Sequence, residues 1–159
     1  MTTDQVGEKL EEALVDLCRE DGFLLDNDLH KRTLCCRLAH HLVPIFKKEG
    51  YDVDCEYNRF HDPKSEDYFF KRLYEALVEE IKKKTPRNEW VSAFPDIIVH
   101  QRRNRSNNLL VIEAKRVSSE IKDRFDIAKL RAYKEALSYS FAIFLKFPSR
   151  TRKINWGFV

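Results

Sequence analysis

The sequence predicts an α/β fold in a single domain covering residues 1–159. Amphipathic helical segments alternate along the chain with short apolar runs of strand character. At 159 residues the chain has the length of one domain with a real core. Four glycines and five prolines are too few for long disordered tracts. The predicted order is helix, helix, strand, helix, strand, strand, helix, strand.

Composition limits the class of protein. The chain carries a net charge of +3 with 35% charged residues, which is typical of a cytoplasmic protein and does not by itself indicate nucleic acid. No signal peptide and no apolar run of membrane-spanning length are visible, so we expect no membrane partner. The four cysteines show no C-x-x-C spacing, and a zinc site around Cys36 and His40 would need two further ligands. We therefore expect structural or surface cysteines.

Two amphipathic helices are predicted in the first third of the chain. The first spans 4–19, with Asp4 as its N-cap. The second begins at residue 27 or 28 and continues to 48, and Pro44 removes one of its hydrogen bonds, so we expect a kink or a break there. The apolar stripes that predict them are Val6, Leu10, Leu14 and Leu17 in the first helix and Leu34, Leu38, Leu42 and Ile45 in the second.

An acidic strand and a third helix follow. Residues 51–58 alternate as a strand should, with Asp54, Glu56 and Asn58 on one face; this predicts a sheet edge or a site. The third helix spans 65–84. A cluster of cations lies at its end: Lys82, Lys83, Lys84 and Arg87. They either complement the helix dipole or form a phosphate-contacting, nucleic-acid-binding patch.

The stretch 94–115 is predicted to form a β-hairpin. Its two apolar runs, 97–99 and 109–112, are joined by a polar, basic connector. The connector arginines are suited to phosphate contacts but lie several residues from the strand ends that carry the carboxylates, so we do not assign them to the site: Arg102, Arg103 and Arg105.

The hairpin register predicts a metal site. With the turn centred between residues 104 and 105, Asp96 falls opposite Glu113, and strand alternation puts Glu113 and Lys115 on one face. Facing carboxylates about 5 Å apart repel each other unless a cation lies between them. The carbonyl of Ala114 offers a third oxygen, and hard oxygen ligands favour Mg²⁺, with Mn²⁺ as a substitute.

The last third of the chain predicts a helix and two strands. The helix spans 123–138 with Asp123 as its cap, and alanines at every fourth position allow it to lie close to a sheet. The strand 141–147 is apolar apart from Lys146, as expected where both faces are covered. The tail 154–158 adds a short edge strand.

Pro95-Asp96, followed after sixteen residues by Glu113-Ala114-Lys115, resembles the signature of the PD-(D/E)XK nucleases. The runs VDCEYNR, FPDIIVH and NLLVIEAK also resemble small, mostly bacterial nuclease-like proteins of uncertain role. The resemblance implies a restriction-endonuclease-like core of order αβββαβ, with a mixed central sheet flanked by helices, over about residues 28–147. The helix at 65–84 would then be an insertion, and the first helix an N-terminal addition.

The resemblance also implies site residues. Asp96, Glu113 and Lys115 would be catalytic, with Asp96, Glu113 and the Ala114 carbonyl as metal ligands. Lys129 and Tyr133 resemble the Q-x-x-x-Y element of some of these nucleases, with lysine in place of glutamine.

Two further residues are second-tier candidates. His30 stands where such nucleases often carry a glutamate, and a solvated helix face is the competing interpretation. Glu56 is either an additional ligand, a partner that orients Arg59, or a surface residue.

Three functions remain open from the sequence. The first is divalent-metal-dependent phosphodiester hydrolysis by a DNA endonuclease of restriction, repair or phage defence, leaving 5′-phosphates if the family pattern holds. The second is a non-cutting nucleic-acid-binding or assembly subunit. The third is an internal ion-pair cluster, for which Mg²⁺ would change neither melting temperature nor activity. Because no recognition domain is present, sequence-specific cutting would need a homodimer or a partner protein.

Overall fold

A computed structural model of the chain describes residues 1–27, 29–56, 94–102, 107–120, 122–148 and 153–159. The described residues form an α/β fold, as predicted. Its helices are α1 (Thr3–Glu20), α2 (Gly22–Asp26), α3 (Lys31–Lys47) and α4 (Asp123–Leu137). Its strands are β1 (Asp52–Cys55), β2 (Ile97–His100), β3 (Asn108–Arg116), β4 (Phe141–Phe147) and β5 (Asn155–Phe158). The predicted helix 65–84 and its cations Lys82, Lys83, Lys84 and Arg87 lie outside the described residues.

The five strands form one mixed sheet in the order β1-β2-β3-β4-β5. β3 pairs parallel with β4, and the other neighbours are antiparallel. α4 supplies the crossover that a parallel pair requires. From α3 to β4 the described elements run helix, three strands, helix, strand, and β5 adds the predicted edge strand.

Apolar side chains cover both faces of the sheet. One core packs α1 and α3 against residues such as Ile112 and Leu145, with Phe46 at 0% exposure in its interior. The other packs α4 against Ile98 and Val111. Burial on both faces explains why β3 and β4 read as continuous apolar runs. No helix in the described part of the chain has both the length and the apolar character that crossing a membrane requires.

The start of α1 differs from the prediction. Thr2, and not Asp4, is the N-cap, because its side chain accepts a hydrogen bond from the Gln5 backbone N–H at 3.3 Å. The Gln5 side chain accepts in return from the Thr2 backbone N–H at 2.9 Å. This reciprocal pair is a capping box, and Asp4 instead lies in the first turn, where its charge complements the helix dipole.

α3 also differs from the prediction at its start. It begins at Lys31 rather than at residue 27 or 28, with His30 as its N-cap. It ends at Lys47, close to the predicted end at residue 48, and it continues through Pro44, so of the predicted kink or break the break does not occur. Ile45 and Phe46 are buried in the core just beyond the proline, and this packing holds the last turn in place.

β1 lies at one edge of the sheet, which accounts for its acidic face. Asp54 accepts hydrogen bonds from Arg102 Nε at 2.9 Å, and His100 Nε2 lies 2.9 Å from the same carboxylate. The edge strand ends at Cys55, and the next residue, Glu56, has a left-handed backbone φ of 47°. Of the two predicted explanations for the acidic face, a sheet edge or a site, Asp54 fits the edge.

Candidate metal centre

β2 and β3 bring Asp96 and Glu113 together in the predicted register. Ile97 pairs with Ile112 and Ile98 with Val111, so the next position along the hairpin places Asp96 opposite Glu113. The Ala114 backbone N–H donates to Asp96 Oδ2 at 2.8 Å and fixes that carboxylate against β3. Towards the turn the register shifts between Val99 and His100, but the end that carries the carboxylates is unaffected.

Glu113 is a fully buried carboxylate. Its exposure is 0%, because α4 covers this face of the central strand β3. Burial raises the pKa of Glu113 to about 8; the ammonium of Lys129 opposes the shift and the charge of Asp96 adds to it. Within the described residues neither of its side-chain oxygens has a hydrogen-bond partner. Such a group is costly to ionise unless a cation compensates it.

Among the described residues, Lys129 forms an ion pair with Glu113. Its Nζ lies 2.9 Å from Glu113 Oε1, an ion pair that lacks the alignment of a hydrogen bond, and 3.4 Å from the carbonyl oxygen of Phe94. Tyr133, one turn later on α4, is buried against Tyr139 with ring centroids 6.4 Å apart. Burial and the charge of Glu113 raise the Tyr133 pKa. The sequence-predicted pair therefore reaches this site, with Lys129 in contact and Tyr133 in the core beside it.

Lys31 is a site residue that the sequence did not reveal. Its Nζ donates to Asp96 Oδ1 at 2.6 Å and to Oδ2 at 2.8 Å, from the first turn of α3. Burial disfavours its charge, but Asp96 outweighs that effect and holds the Lys31 pKa above its ordinary value. The neighbouring residue His30 was the candidate predicted from the sequence. Its position next to Lys31 was the only sequence feature that pointed to this part of α3.

Lys115 has partners on α4. Its Nζ lies 2.7 Å from Asp126 Oδ2 and 3.5 Å from Asp123 Oδ1. Asp123 also pairs with Lys146. The predicted role of Asp123 as helix cap is wrong, because Lys122 occupies the N-cap position without a side-chain hydrogen bond. Asp123 and Asp126 instead anchor the lysine of the signature to the first turn of α4.

The other two candidates have roles away from the carboxylate pair. The His30 ring accepts a hydrogen bond from the Arg32 backbone N–H at 3.2 Å, so it caps α3. The Glu56 carboxylate lies 2.7 Å from Arg32 Nε and is 46% exposed. Only the Glu56 backbone approaches the site, donating its N–H to the Asp96 carbonyl at 3.3 Å. Its predicted partner Arg59 lies outside the described residues.

The donor atoms fit a hard divalent cation. Asp96 and Glu113 supply carboxylate oxygens, and the two buried Glu113 oxygens lack hydrogen bonds within the described residues. The Ala114 carbonyl stays a predicted third ligand. Among those residues no group of three or more Asp, Glu, His or Cys side chains is arranged to hold one metal. An ion here would complete its coordination with carbonyl oxygen and water, as Mg²⁺ commonly does.

Comparisons with known proteins add no relative. No family model matches the chain, and no curated protein and no solved structure matches it either. The likeness to PD-(D/E)XK nucleases therefore depends on the residues and their arrangement alone.

Proposed function

We propose that this chain is a divalent-metal-dependent phosphodiesterase that cleaves nucleic acid and has a restriction-endonuclease-like core. DNA is the proposed substrate in preference to RNA. One observation carries the proposal. Asp96 directly precedes β2 and faces Glu113 within β3, and the Glu113 oxygens are fully buried without hydrogen bonds from the described residues. A folded chain seldom retains such an arrangement without use for it, because burial disfavours the ionised form of Glu113 even beside the Lys129 ammonium.

Asp96, Glu113 and the Ala114 carbonyl would hold Mg²⁺, with Mn²⁺ as a substitute. The bound ion would supply a water of lowered pKa and neutralise charge on the phosphate. Lys129 favours the ionised form of Glu113 through its contact of 2.9 Å, and so favours the form that binds a cation. Lys115, held by Asp126, would orient the attacking water and stabilise the negative charge that develops on the phosphate oxygens.

Nucleic acid is the proposed partner. The cationic residues Lys82, Lys83, Lys84 and Arg87 remain predicted phosphate contacts. Cleavage of both DNA strands needs two such sites, which favours a homodimer or a larger complex.

A non-cutting binding or assembly subunit is the second candidate, and a specific observation favours it. Lys31 occupies both oxygens of Asp96, and Lys129 pairs with Glu113, so lysines balance the two carboxylates without a metal. An internal ion-pair cluster of this kind can be purely structural. The two functions differ in whether a metal binds the two carboxylates and whether cleavage follows.

Nicking of supercoiled plasmid tests the proposal. Wild type, Asp96→Asn, Lys115→Ala and the control Asp52→Asn, which removes an acid from edge strand β1, are incubated with Mg²⁺, Mn²⁺ or EDTA. We expect nicking by wild type and control with either metal, none with EDTA, and a loss of about 100-fold or more in the two site variants. Equal nicking by all four proteins would show a contaminant and defeat the proposal. Tight DNA binding without nicking would support the non-cutting subunit.

A further inference from the structure

Lys31 occupies the atoms that a metal would need. Its ammonium contacts both Asp96 oxygens, at 2.6 and 2.8 Å, and the Ala114 N–H takes a further position on Oδ2. The first turn of α3 contains no acidic residue, so this helix brings a positive charge to Asp96 instead of a ligand. Three of the roughly four acceptor positions of the Asp96 carboxylate are therefore taken, two of them by Lys31, so a divalent ion that coordinates Asp96 competes with Lys31 for these oxygens.

We propose that Lys31 is a resident cation that competes with the divalent metal for Asp96 and so sets the metal affinity of the site. The inference rests on the proposed function, because it assumes that a metal binds Asp96 and Glu113. Lys31 is a positioning residue here: it acts through Asp96. Its departure is the step that opens the site.

The surroundings of the two lysines indicate which one moves. The Lys129 side chain extends from α4 into the core, where it is 7% exposed. Its ammonium also donates a hydrogen bond to the Phe94 carbonyl. The Lys31 side chain is 33% exposed and extends from the end of a helix. A long, flexible side chain at a helix end can swing its ammonium into water at small cost. Lys129 stays with Glu113, and Lys31 withdraws.

Arg32 offers a matched control. It neighbours Lys31 on the same helical turn and carries the same charge, but its side chain pairs with Glu56 and is 70% exposed. Arg32→Met and Lys31→Met therefore remove one positive charge each from the same turn. Only Lys31→Met frees the Asp96 oxygens. Lys31→Arg keeps the charge and tests whether a cation restores the competition.

The experiment measures binding of Mn²⁺ alone, from the electron paramagnetic resonance signal of the free ion. Wild type and the three variants are titrated at one pH after circular dichroism has shown that each is folded. We expect Lys31→Met to bind Mn²⁺ about tenfold more tightly than wild type, since a neighbouring charge commonly changes ionic equilibria by an order of magnitude or more. Arg32→Met and Lys31→Arg should stay within about threefold of wild type.

Each other outcome has a distinct meaning. If wild type binds Mn²⁺ and Lys31→Met binds it equally or more weakly, the competition is refuted while the metal site stands. If Arg32→Met gains as much affinity as Lys31→Met, general electrostatics explains the gain and direct competition is refuted. If neither wild type nor Lys31→Met binds Mn²⁺, the proposed metal-dependent function fails together with this inference.

Discussion

Glu113→Gln should stabilise the metal-free protein at neutral and mildly alkaline pH. Glu113 is fully buried, and its pKa rises on folding from the ordinary value of 4.5 to about 8. Between these values the folded protein binds a proton at Glu113 that the unfolded chain has released. The free energy of unfolding therefore decreases as pH rises through this window, and it is least above pH 8. Glutamine has nearly the same shape as the protonated acid and does not titrate.

The size of the effect follows from the shift. One pKa unit corresponds to about 1.4 kcal/mol, and the window between 4.5 and about 8 gives a loss on the order of 5 kcal/mol. Wild type should lose that stability between pH 4.5 and 8, relative to Glu113→Gln. The Lys129 ammonium keeps its contact with the Phe94 carbonyl in the variant. The free-energy cost of burying this ammonium should therefore change little.

Urea unfolding at a series of pH values, with EDTA present, measures the difference. The two proteins should be about equally stable near pH 4.5, and Glu113→Gln should be the more stable at pH 8. Glu12→Gln, at an exposed position on α1, controls for the loss of a glutamate and should run parallel to wild type. Parallel pH profiles for wild type and Glu113→Gln would refute the argument that burial raises the Glu113 pKa.

Three further substitutions test the packing that holds the site. Asp21→Asn should cost about 2 kcal/mol near pH 7, because its carboxylate pairs with Arg37 at 2.8 Å and His41 at 2.7 Å. Burial disfavours the charged form of Asp21, but Arg37 and His41 outweigh burial, so the pKa of Asp21 is lowered. The stabilisation from these ion pairs should therefore be lost as the pH falls through the lowered pKa. Phe46→Ala should cost about 3–5 kcal/mol, since the side chain is fully buried between α3 and the sheet. Thr2→Ala should cost about 1 kcal/mol through loss of the α1 cap. Urea unfolding measures all three, and changes below about 0.5 kcal/mol would contradict the contacts invoked.

The hairpin was predictable because its signals are local. The apolar runs and the residues between them defined a register that placed Asp96 opposite Glu113, and the structure has that register at the relevant end. β4 was predicted at its observed bounds, Phe141–Phe147, because a strand covered on both faces is largely apolar, and Lys146 is its one charged residue.

The cations of the site were less predictable, since they depend on contacts between distant parts of the chain. Lys31 lies 65 residues before Asp96, and helical periodicity does not distinguish a lysine on a solvated face from one that reaches a sheet end. The predicted start of α3 at residue 27 or 28 was also too early. In the structure His30 caps the helix, and Lys31 in its first turn points to the site. The contact of Lys115 with Asp126 likewise depends on how closely α4 packs on β3.

Plasmid nicking by Glu113→Gln at pH 8 tests the central claim most directly, because the variant is expected to be more stable than wild type there. With Mg²⁺ present, the metal-dependent phosphodiesterase predicts a loss of about 100-fold or more in the rate. Urea unfolding of the metal-free proteins in EDTA should show the variant to be the more stable one. Loss of activity could then not be attributed to unfolding. Nicking by Glu113→Gln at the wild-type rate, with the same dependence on Mg²⁺, would contradict the assignment of this carboxylate pair as the hydrolytic metal centre.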